Sequence, residues 1–314
     1  MSDEPAAPEA LLNEKTVVLI AAYNESRFIG SVILQARKYA TVVVVVDDGS
    51  QDGTADIAEA AGALVLHHER NMGKGAALNT GFRYARQLPN VEVIVTIDGD
   101  GQHSCDEIPL LIKPILAGEA DIVVGSRFLE TKSKIPVWRI FGQHFLTIAT
   151  NLTSRSNLTD SQSGFRAFSH KVLEVFHFES RGFSVESEMQ FMLQDIGLRV
   201  VEVPISVVYE EPAKRNPLMH GLQVFNGVLQ LVSQYRPLFF FSGGGVVALL
   251  IGLFWGGYVV EIYVRSKTLA IGYALIAVGL TILGSTAFFT GIMLHSVSRQ
   301  IKEIKKSVER LKEE

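Results

Sequence analysis

One cysteine, Cys105, is all the thiol this 314-residue chain contains. That excludes an internal disulfide framework and a cysteine-based zinc site. Positive charge is not in excess either: the formal net charge is -4, so no global basic field gathers nucleic acid and no nucleic-acid partner is expected. Two glycine signatures are also missing. No GxGxxG follows the first apolar run, which argues against a dinucleotide fold of the usual kind. Gly73-Lys74 fails as a phosphate loop, because His68 stands where the earlier glycine belongs and Gly75 where Ser or Thr would follow. Residues 1–14 lack the basic start and apolar centre of a signal peptide and read as a flexible polar tail.

Long uncharged apolar runs are absent before Pro237 and dominate after it. The chain is 47% hydrophobic, with a mean hydropathy of +0.23, and the excess sits in this last quarter. Pro237 to Val260 carries no charged residue. As a helix it would reach about 36 Å, enough to cross a bilayer core. Thr268 to Ser298 is a second such run, separated from the first by the polar break Glu261 to Lys267. Two buried helices of a soluble protein are the alternative, but both runs exceed the usual globular helix. Two transmembrane helices are expected within 237–298, at about 237–260 and 268–295, followed by a C-terminal helix over 299–314. Arg236 before the first run and Arg299, Lys302, Lys305 and Lys306 after the second outnumber Arg265 and Lys267 between them. That balance places both flanks, and the domain before them, in the cytoplasm. The apolar spacing Ile301, Ile304, Val308, Leu311 spans less than two heptads and is compatible with a homo-oligomer without requiring one.

The body of the chain alternates strand and helix patterns. Thr16 to Ala22, Thr41 to Val46, Ala63 to His67, Val91 to Ile97 and Asp121 to Val124 read as strands. Between them, helices are predicted from Ser26, as a cap, to Tyr39, then to Ala61, from Ala76 to Gln87 and from Ile108 to Ala117. Near-continuous apolar strands indicate a mostly parallel sheet covered on both faces. Ligands of such sheets bind beyond the carboxyl ends of the strands. Four polar clusters fall there: Tyr23-Asn24-Glu25, Asp47-Asp48-Gly49, Asp98-Gly99-Asp100 and Gly125-Ser126-Arg127. If the extended chain continues past Ile97, Asp98 and Asp100 share a face. Two carboxylates and the amide carbonyl of Gln102 suit Mg²⁺ or Mn²⁺. His67-His68 reads as a surface pair.

Further along, Pro136 to Thr153 and Asn216 to Tyr235 are amphipathic, fit either for a core or for a membrane interface. Asp160 to Phe168 is expected to be a loop entering a strand. Gly182 to Ile196 reads as a helix with Glu186 and Glu188 near its start, and Val200 to Tyr209 as a strand near an edge, because Pro204 interrupts it. The expected division is a catalytic domain at 15–212, a juxtamembrane helix at 213–236 and the membrane part beyond.

Six motifs occur in a fixed order: Ala22-Tyr23-Asn24-Glu25, Asp47-Asp48-Gly49-Ser50, Asn71-Met72-Gly73-Lys74-Gly75, Asp98-Gly99-Asp100-Gly101-Gln102-His103, Gly125-Ser126-Arg127-Phe128 and Ser163-Gly164-Phe165-Arg166. This chain resembles the family 2 glycosyltransferases, and within them the dolichol-phosphate mannose synthase branch, over about Thr16 to Tyr209. The two-run tail resembles polyprenyl-phosphate glycosyltransferases that carry a membrane anchor. The resemblance implies a GT-A fold, a Rossmann-like α/β domain with a mostly parallel sheet. It implies a nucleotide-sugar donor, a divalent metal, and a dolichyl or polyprenyl phosphate acceptor held in a membrane. It implies inversion at the anomeric carbon.

Carried over, Ala22, Tyr23, Asn24, Glu25, Asp48, Lys74, Asp98, Gly99 and Asp100 would bind the nucleotide-sugar. Asp98, Asp100 and Gln102 would hold the metal. Asp100, Arg127 and Asp160 are the catalytic candidates. Arg127, Arg139, Ser163 and Arg215 would meet the acceptor phosphate. The family's Ala is Gly99 here, and the stretch that usually ends in Gly-Xaa-Ser-Lys reads Lys214-Arg215-Asn216-Pro217. Asp160 matches the family's proposed base, but a phosphate monoester is largely dianionic at neutral pH and needs no strong base, so positioning or electrostatic work suits it better. The donor stays open among GDP-mannose, UDP-glucose and UDP-N-acetylglucosamine. The competing functions are a processive polysaccharide synthase, for which the Gln-x-x-Arg-Trp motif is missing, and a non-catalytic nucleotide-sugar-binding scaffold, against which the intact Asp98, Asp100 and Arg127 argue.

Overall fold

A computed structural model of the protein describes residues 15–129, 157–176, 185–207 and 236–313, with residues 144, 147, 148, 150, 151, 178, 226, 229, 232 and 233. The chain divides into two compact units, residues 1–228 and 229–314.

The β-branched runs of the first unit become strands β1 (Thr16–Ala22), β2 (Val42–Asp47), β3 (Leu64–His67), β4 (Val93–Asp98), β5 (Ile122–Ser126), β6 (Arg166–Ser169) and β7 (Val200–Pro204). They form one sheet in the order β3-β2-β1-β4-β6-β5-β7. Neighbours pair in parallel except β6, which is antiparallel to both β4 and β5. β7 lies at one edge of the sheet, where Pro204 and its missing N–H are tolerated. The helices are α1 (Ile29–Ala36), α2 (Thr54–Ala60), α3 (Lys74–Ala85), α4 (Ile108–Leu116), α5 (His170–Leu173) and α6 (Val185–Ile196). Alternate residues of β1 serve two cores. Val18 and Ile20 pack with Ile33, Ile108 and Leu111 on one face. Val17 and Leu19 pack with Leu78, Phe82, Phe168 and Phe176 on the other. Burial on both faces is why the strands read as unbroken apolar runs.

Ser26 does not cap α1. The helix starts at Ile29 behind Phe28, with no side-chain cap, and the Ser26 N–H instead donates to Asp52 Oδ2 at 3.1 Å. Asp52 also receives the Thr54 N–H and hydroxyl, so one carboxylate knits the loops after β1 and β2.

The second unit holds α7 (Gly243–Ser266), entered through a π-turn at Leu238–Ser242, and α8 (Ile271–Glu313). Two segments are long and apolar enough to cross a membrane, Leu238–Ser266 and Ile271–Ile301. Soluble core helices would be mostly buried, whereas only 17% of the most apolar window of each is. Gly245 and Gly284 let the two backbones touch: a Cβ on either would lie 2.5 Å from a backbone nitrogen of the opposite helix. The polar break expected at Glu261 to Lys267 is helical instead. Glu261 and Arg265 pair one turn apart at 2.5 Å, and the helix ends at Lys267, which takes a left-handed φ of 54°. The C-terminal residues are not a separate helix but prolong α8.

Candidate functional site

Each polar cluster named above follows the carboxyl end of a strand: Tyr23 to Glu25 after β1, Asp48 to Ser50 after β2, Gly99 to Gln102 after β4, and Arg127 after β5. Parallel pairing of β1 with both β2 and β4 brings the first three side by side. Asn24 adopts a left-handed φ of 55°. Its N–H donates to Ser50 Oγ, and its side-chain oxygen accepts from the Gln51 N–H, both at 2.9 Å. Tyr23 stays exposed, while Glu25 donates its N–H to Thr54 Oγ1 at 2.8 Å.

Asp48 is buried and turned toward the third motif. Its carboxylate accepts the N–H groups of Met72 and Gly73 at 2.9 and 2.7 Å. His68 Nδ1 donates to it at 2.7 Å, and His68 Nε2 meets Thr80 Oγ1 at 2.9 Å. The adjacent histidines are therefore unlike. His67 is half exposed near Asp47 and Glu59, as a surface residue should be. His68, just past the end of β3, is buried and holds Asp48. The surface expectation fails for His68 because Asp48 and Thr80 engage both of its ring nitrogens inside the fold.

The loop before α3 delivers Lys74 at the start of that helix. The Lys74 ammonium donates to Asp98 Oδ1 at 2.6 Å and pairs with Glu186 Oε1 of α6 at 2.7 Å. Burial works against the ammonium, but the two carboxylates prevail and raise its pKa. Burial likewise opposes ionisation of Asp98, and Lys74 prevails there too, holding that carboxyl below its usual range. Gly164 makes the arrangement fit: a Cβ there would lie 2.7 Å from Lys74 Nζ and 2.8 Å from Asp98 Oδ2. A small cavity behind this cluster is lined by Leu78, Thr96, Arg166 and Met189 among others.

The strand ends at Asp98, so Asp98 and Asp100 are not brought together by extended alternation. A turn does it, closed by the Gln102 N–H on Asp100 Oδ1 at 3.0 Å. Gly101 has a φ of +72° there, a conformation that favours glycine. Burial, then the charge of Asp98, pushes the Asp100 carboxyl up to about 6. Lys74 pulls the other way, but less strongly than these two effects. Among the described residues no group of three or more His, Cys, Asp or Glu could hold a metal. Two carboxylates with an adjacent amide fit a hard cation that takes one or two carboxylates and completes its shell with phosphate and water. His103 is neutral, pushed down to about 4 by burial against the pull of Asp98. Its Nδ1 is buried without a hydrogen-bond partner, as is Ser163 Oγ.

Across the site, Arg127 Nε and Nη2 bind Asp160 Oδ2 and Oδ1 at 2.6 and 2.7 Å, a bidentate pair. Asp160 is fully buried. Glu202 of β7 anchors its loop by accepting the N–H groups of Thr159 and Asp160 at 2.8 and 3.1 Å. Arg166 is buried against the carbonyls of Ser163 and Ser161, both at 2.8 Å. Arg139 and Arg215 lie outside the described residues. So do most of Pro136–Thr153, where positions 144, 147, 148, 150 and 151 are helical, and most of Asn216–Tyr235. His68, Glu186 and Glu202 were not singled out for the site from sequence. The only signal was Glu186 at the start of a predicted helix, with nothing to say that Lys74 would meet it.

A family model described as Glycosyl transferase family 2 matches residues 17–176, just over half of the chain. The chain is 34% identical over 239 residues to a UDP-N-acetylglucosamine–dolichyl-phosphate N-acetylglucosaminyltransferase of Methanococcus voltae, covering 68% of this chain and 94% of the relative. It is 31% identical over 215 residues to an undecaprenyl-phosphate mannosyltransferase of Micrococcus luteus, covering 63% and 85%. Among solved structures, it is similar in fold to glucosyl-3-phosphoglycerate synthase of Mycobacterium tuberculosis in complex with Mn²⁺, UDP-glucose and phosphoglyceric acid. The TM-score is 0.58 at 21% identity, over 74% of this chain and 86% of that one.

Proposed function

The chain belongs to the family 2 glycosyltransferases, and on that premise we propose that it transfers a hexose, with inversion, from a nucleotide-sugar to a polyprenyl or dolichyl phosphate in a membrane. The observation that carries this reading is the meeting of Asp98, Lys74 and Glu186 at one rim of a sheet, in a chain that also carries two helices long enough to span a bilayer. A polyprenyl chain does not leave the bilayer, so a membrane anchor suits an enzyme that uses it. Relatives named for dolichyl and undecaprenyl phosphate support that acceptor class. Their different sugars leave GDP-mannose, UDP-glucose and UDP-N-acetylglucosamine as the donors to compare.

Tyr23, Asn24, Glu25 and the loop held by Asp48 line the nucleotide end. Asp98 and Asp100, with Gln102, would hold Mg²⁺ or Mn²⁺. Bound there, such an ion neutralises the charge growing on the departing diphosphate. Lys74 adds a cation on the same side. Arg127 holds the acceptor phosphate, since a guanidinium suits its oxygens, and Ser163 lies in the same loop as Asp160. The acceptor is largely dianionic at neutral pH, so Asp160 removes no proton. It acts as a positioning residue that fixes the plane of Arg127. Residues 15–212 form the catalytic domain, 213–236 the juxtamembrane segment and 237–298 the anchor. The basic flanks favour a cytoplasmic catalytic domain.

The test is a donor panel with the purified full chain, a short polyprenyl phosphate and Mg²⁺ or Mn²⁺, reading label in the organic phase. One donor should transfer, and chelation or Asp100→Ala should abolish it. Full transfer by Asp100→Ala would overturn the metal assignment, and no transfer from any donor would favour the non-catalytic scaffold.

A further inference from the structure

The Lys74 ammonium sits between two carboxylates, 2.6 Å from Asp98 and 2.7 Å from Glu186. Asp98 lies at the tip of β4 beside the donor rim. Glu186 lies on α6, almost wholly buried, at 6% side-chain exposure against 32% for Asp98. A lysine that served only to bind donor phosphate would not need a second, deeper carboxylate. Arg166, also buried nearby, is committed to the carbonyls of Ser161 and Ser163. Gly164 is kept free of a side chain at the point where one would collide with both Lys74 and Asp98.

We propose that Lys74 is a built-in counter-ion for the metal site: it occupies Asp98 when no divalent ion is bound, and Glu186 is the positioning residue that retains it when Asp98 turns to the ion. The transfer needs little motion, because the ammonium already touches both carboxylates. Lysine suits this work and arginine does not. An ammonium is a compact charge with three rotatable donors, whereas a guanidinium binds in a fixed fork. Two consequences follow. The empty site never leaves the partly buried Asp98 carboxylate uncompensated, which would be costly. And an ion binding without donor has to displace the ammonium, so metal alone binds weakly, while metal arriving with a diphosphate gives the displaced ammonium an anion to face.

This inference rests on the metal reading of Asp98 and Asp100 given above, and the test separates the two. Binding of Mn²⁺ alone to the purified full chain, with no donor or acceptor, is followed by electron paramagnetic resonance, with thermal unfolding as the check on folding. The decisive variant is Lys74→Met with Glu186→Gln, which removes one charge of each sign and leaves the net charge unchanged. Competition predicts that Mn²⁺ binds the double variant on the order of tenfold more tightly than wild type, because Asp98 is freed. Glu186→Gln alone should bind Mn²⁺ more weakly, since the ammonium then rests on Asp98 only. Mn²⁺ affinity unchanged or lowered in the double variant overturns the counter-ion role, and the metal reading survives if Asp98→Asn still removes binding. Mn²⁺ binding to neither wild type nor the double variant overturns both. Lys74→Arg adds a check in a fuller background: it should keep the fold yet lose the donor-dependent gain in Mn²⁺ affinity, and retention of that gain would count against the handover.

Discussion

Two cation–carboxylate contacts stand at the site, one at the end of β4 and one, more deeply buried, at the end of β5, and they are built on different plans. At β5, Arg127 and Asp160 are locked as a bidentate pair, and Glu202 pins the loop beneath them. At β4, Lys74 is shared between Asp98 and Glu186, with a small cavity behind it. The first arrangement fixes a direction in space, which is what the proposed task of holding an acceptor phosphate against a negatively charged donor would require. The second leaves a charge that can change partner, which suits a rim where charged ligands come and go. Fork geometry against point charge explains why arginine serves one corner and lysine the other.

The sharpest way to break this comparison is Asp160→Ala. It removes the carboxylate that holds the nearly buried Arg127 guanidinium, and losing one partner of such a pair costs about 3–5 kcal/mol. Denaturant unfolding should show that loss together with near-complete loss of sugar transfer, and Asp160→Asn should restore part of the stability. If Asp160→Ala kept its stability, the corner would not be locked. Gly164→Ala is next, since it drives a methyl into the Lys74–Asp98 contact. Overpacking of this kind costs about 1–3 kcal/mol, and the fall in activity should exceed what the stability change explains. A variant with normal transfer would show that Lys74 is not confined there.

A smaller effect is expected from His68→Leu, which leaves Asp48 and Thr80 short of a partner behind the loop that delivers Lys74. The half-saturating donor concentration should rise about tenfold, in line with a lost hydrogen bond to a charged group, while turnover at saturation stays near wild type. A drop in turnover with unchanged donor dependence would put His68 in another role. The smallest is Asp121→Asn, a contrast from the amino end of β5. Arg199, chiefly, and Lys171 hold this carboxyl well below its usual range. The folded carboxyl binds its proton less readily than the unfolded one, so its stabilisation is present above the usual carboxylate pKa and lost as pH falls below it. Both cations are largely exposed, so the substitution should cost about 1 kcal/mol at pH 7. The difference between variant and wild type should shrink steadily as pH falls from the usual carboxylate range toward the depressed folded pKa, and a difference that did not change with pH there would place the effect in packing.

Sequence pattern went far in the first half of the chain. Runs such as Val42 to Val46 are buried on both faces, so their composition alone betrays a covered parallel sheet, and the polar clusters after them could be placed on one rim. The apolar runs after Pro237 announced their length but not their breaks. Glu261 and Arg265 looked like a loop, yet they satisfy each other one helical turn apart. His68 was misjudged for a related reason: a polar side chain at a strand end reads as solvated until its partners are seen.

What the sequence determined by itself is whatever depends on local composition and order: the strand–helix alternation, the motifs after β1, β2, β4 and β5, and two helices long enough for a bilayer. The tertiary structure alone decided which charges meet. Glu186 reaches Lys74 from α6, and Glu202 reaches the Asp160 loop from the edge strand β7. Both contacts join residues far apart in the chain, and no periodicity encodes such a meeting. The antiparallel strand β6 lies between β4 and β5, and the loop that enters it sets Gly164 against Lys74 and Asp98.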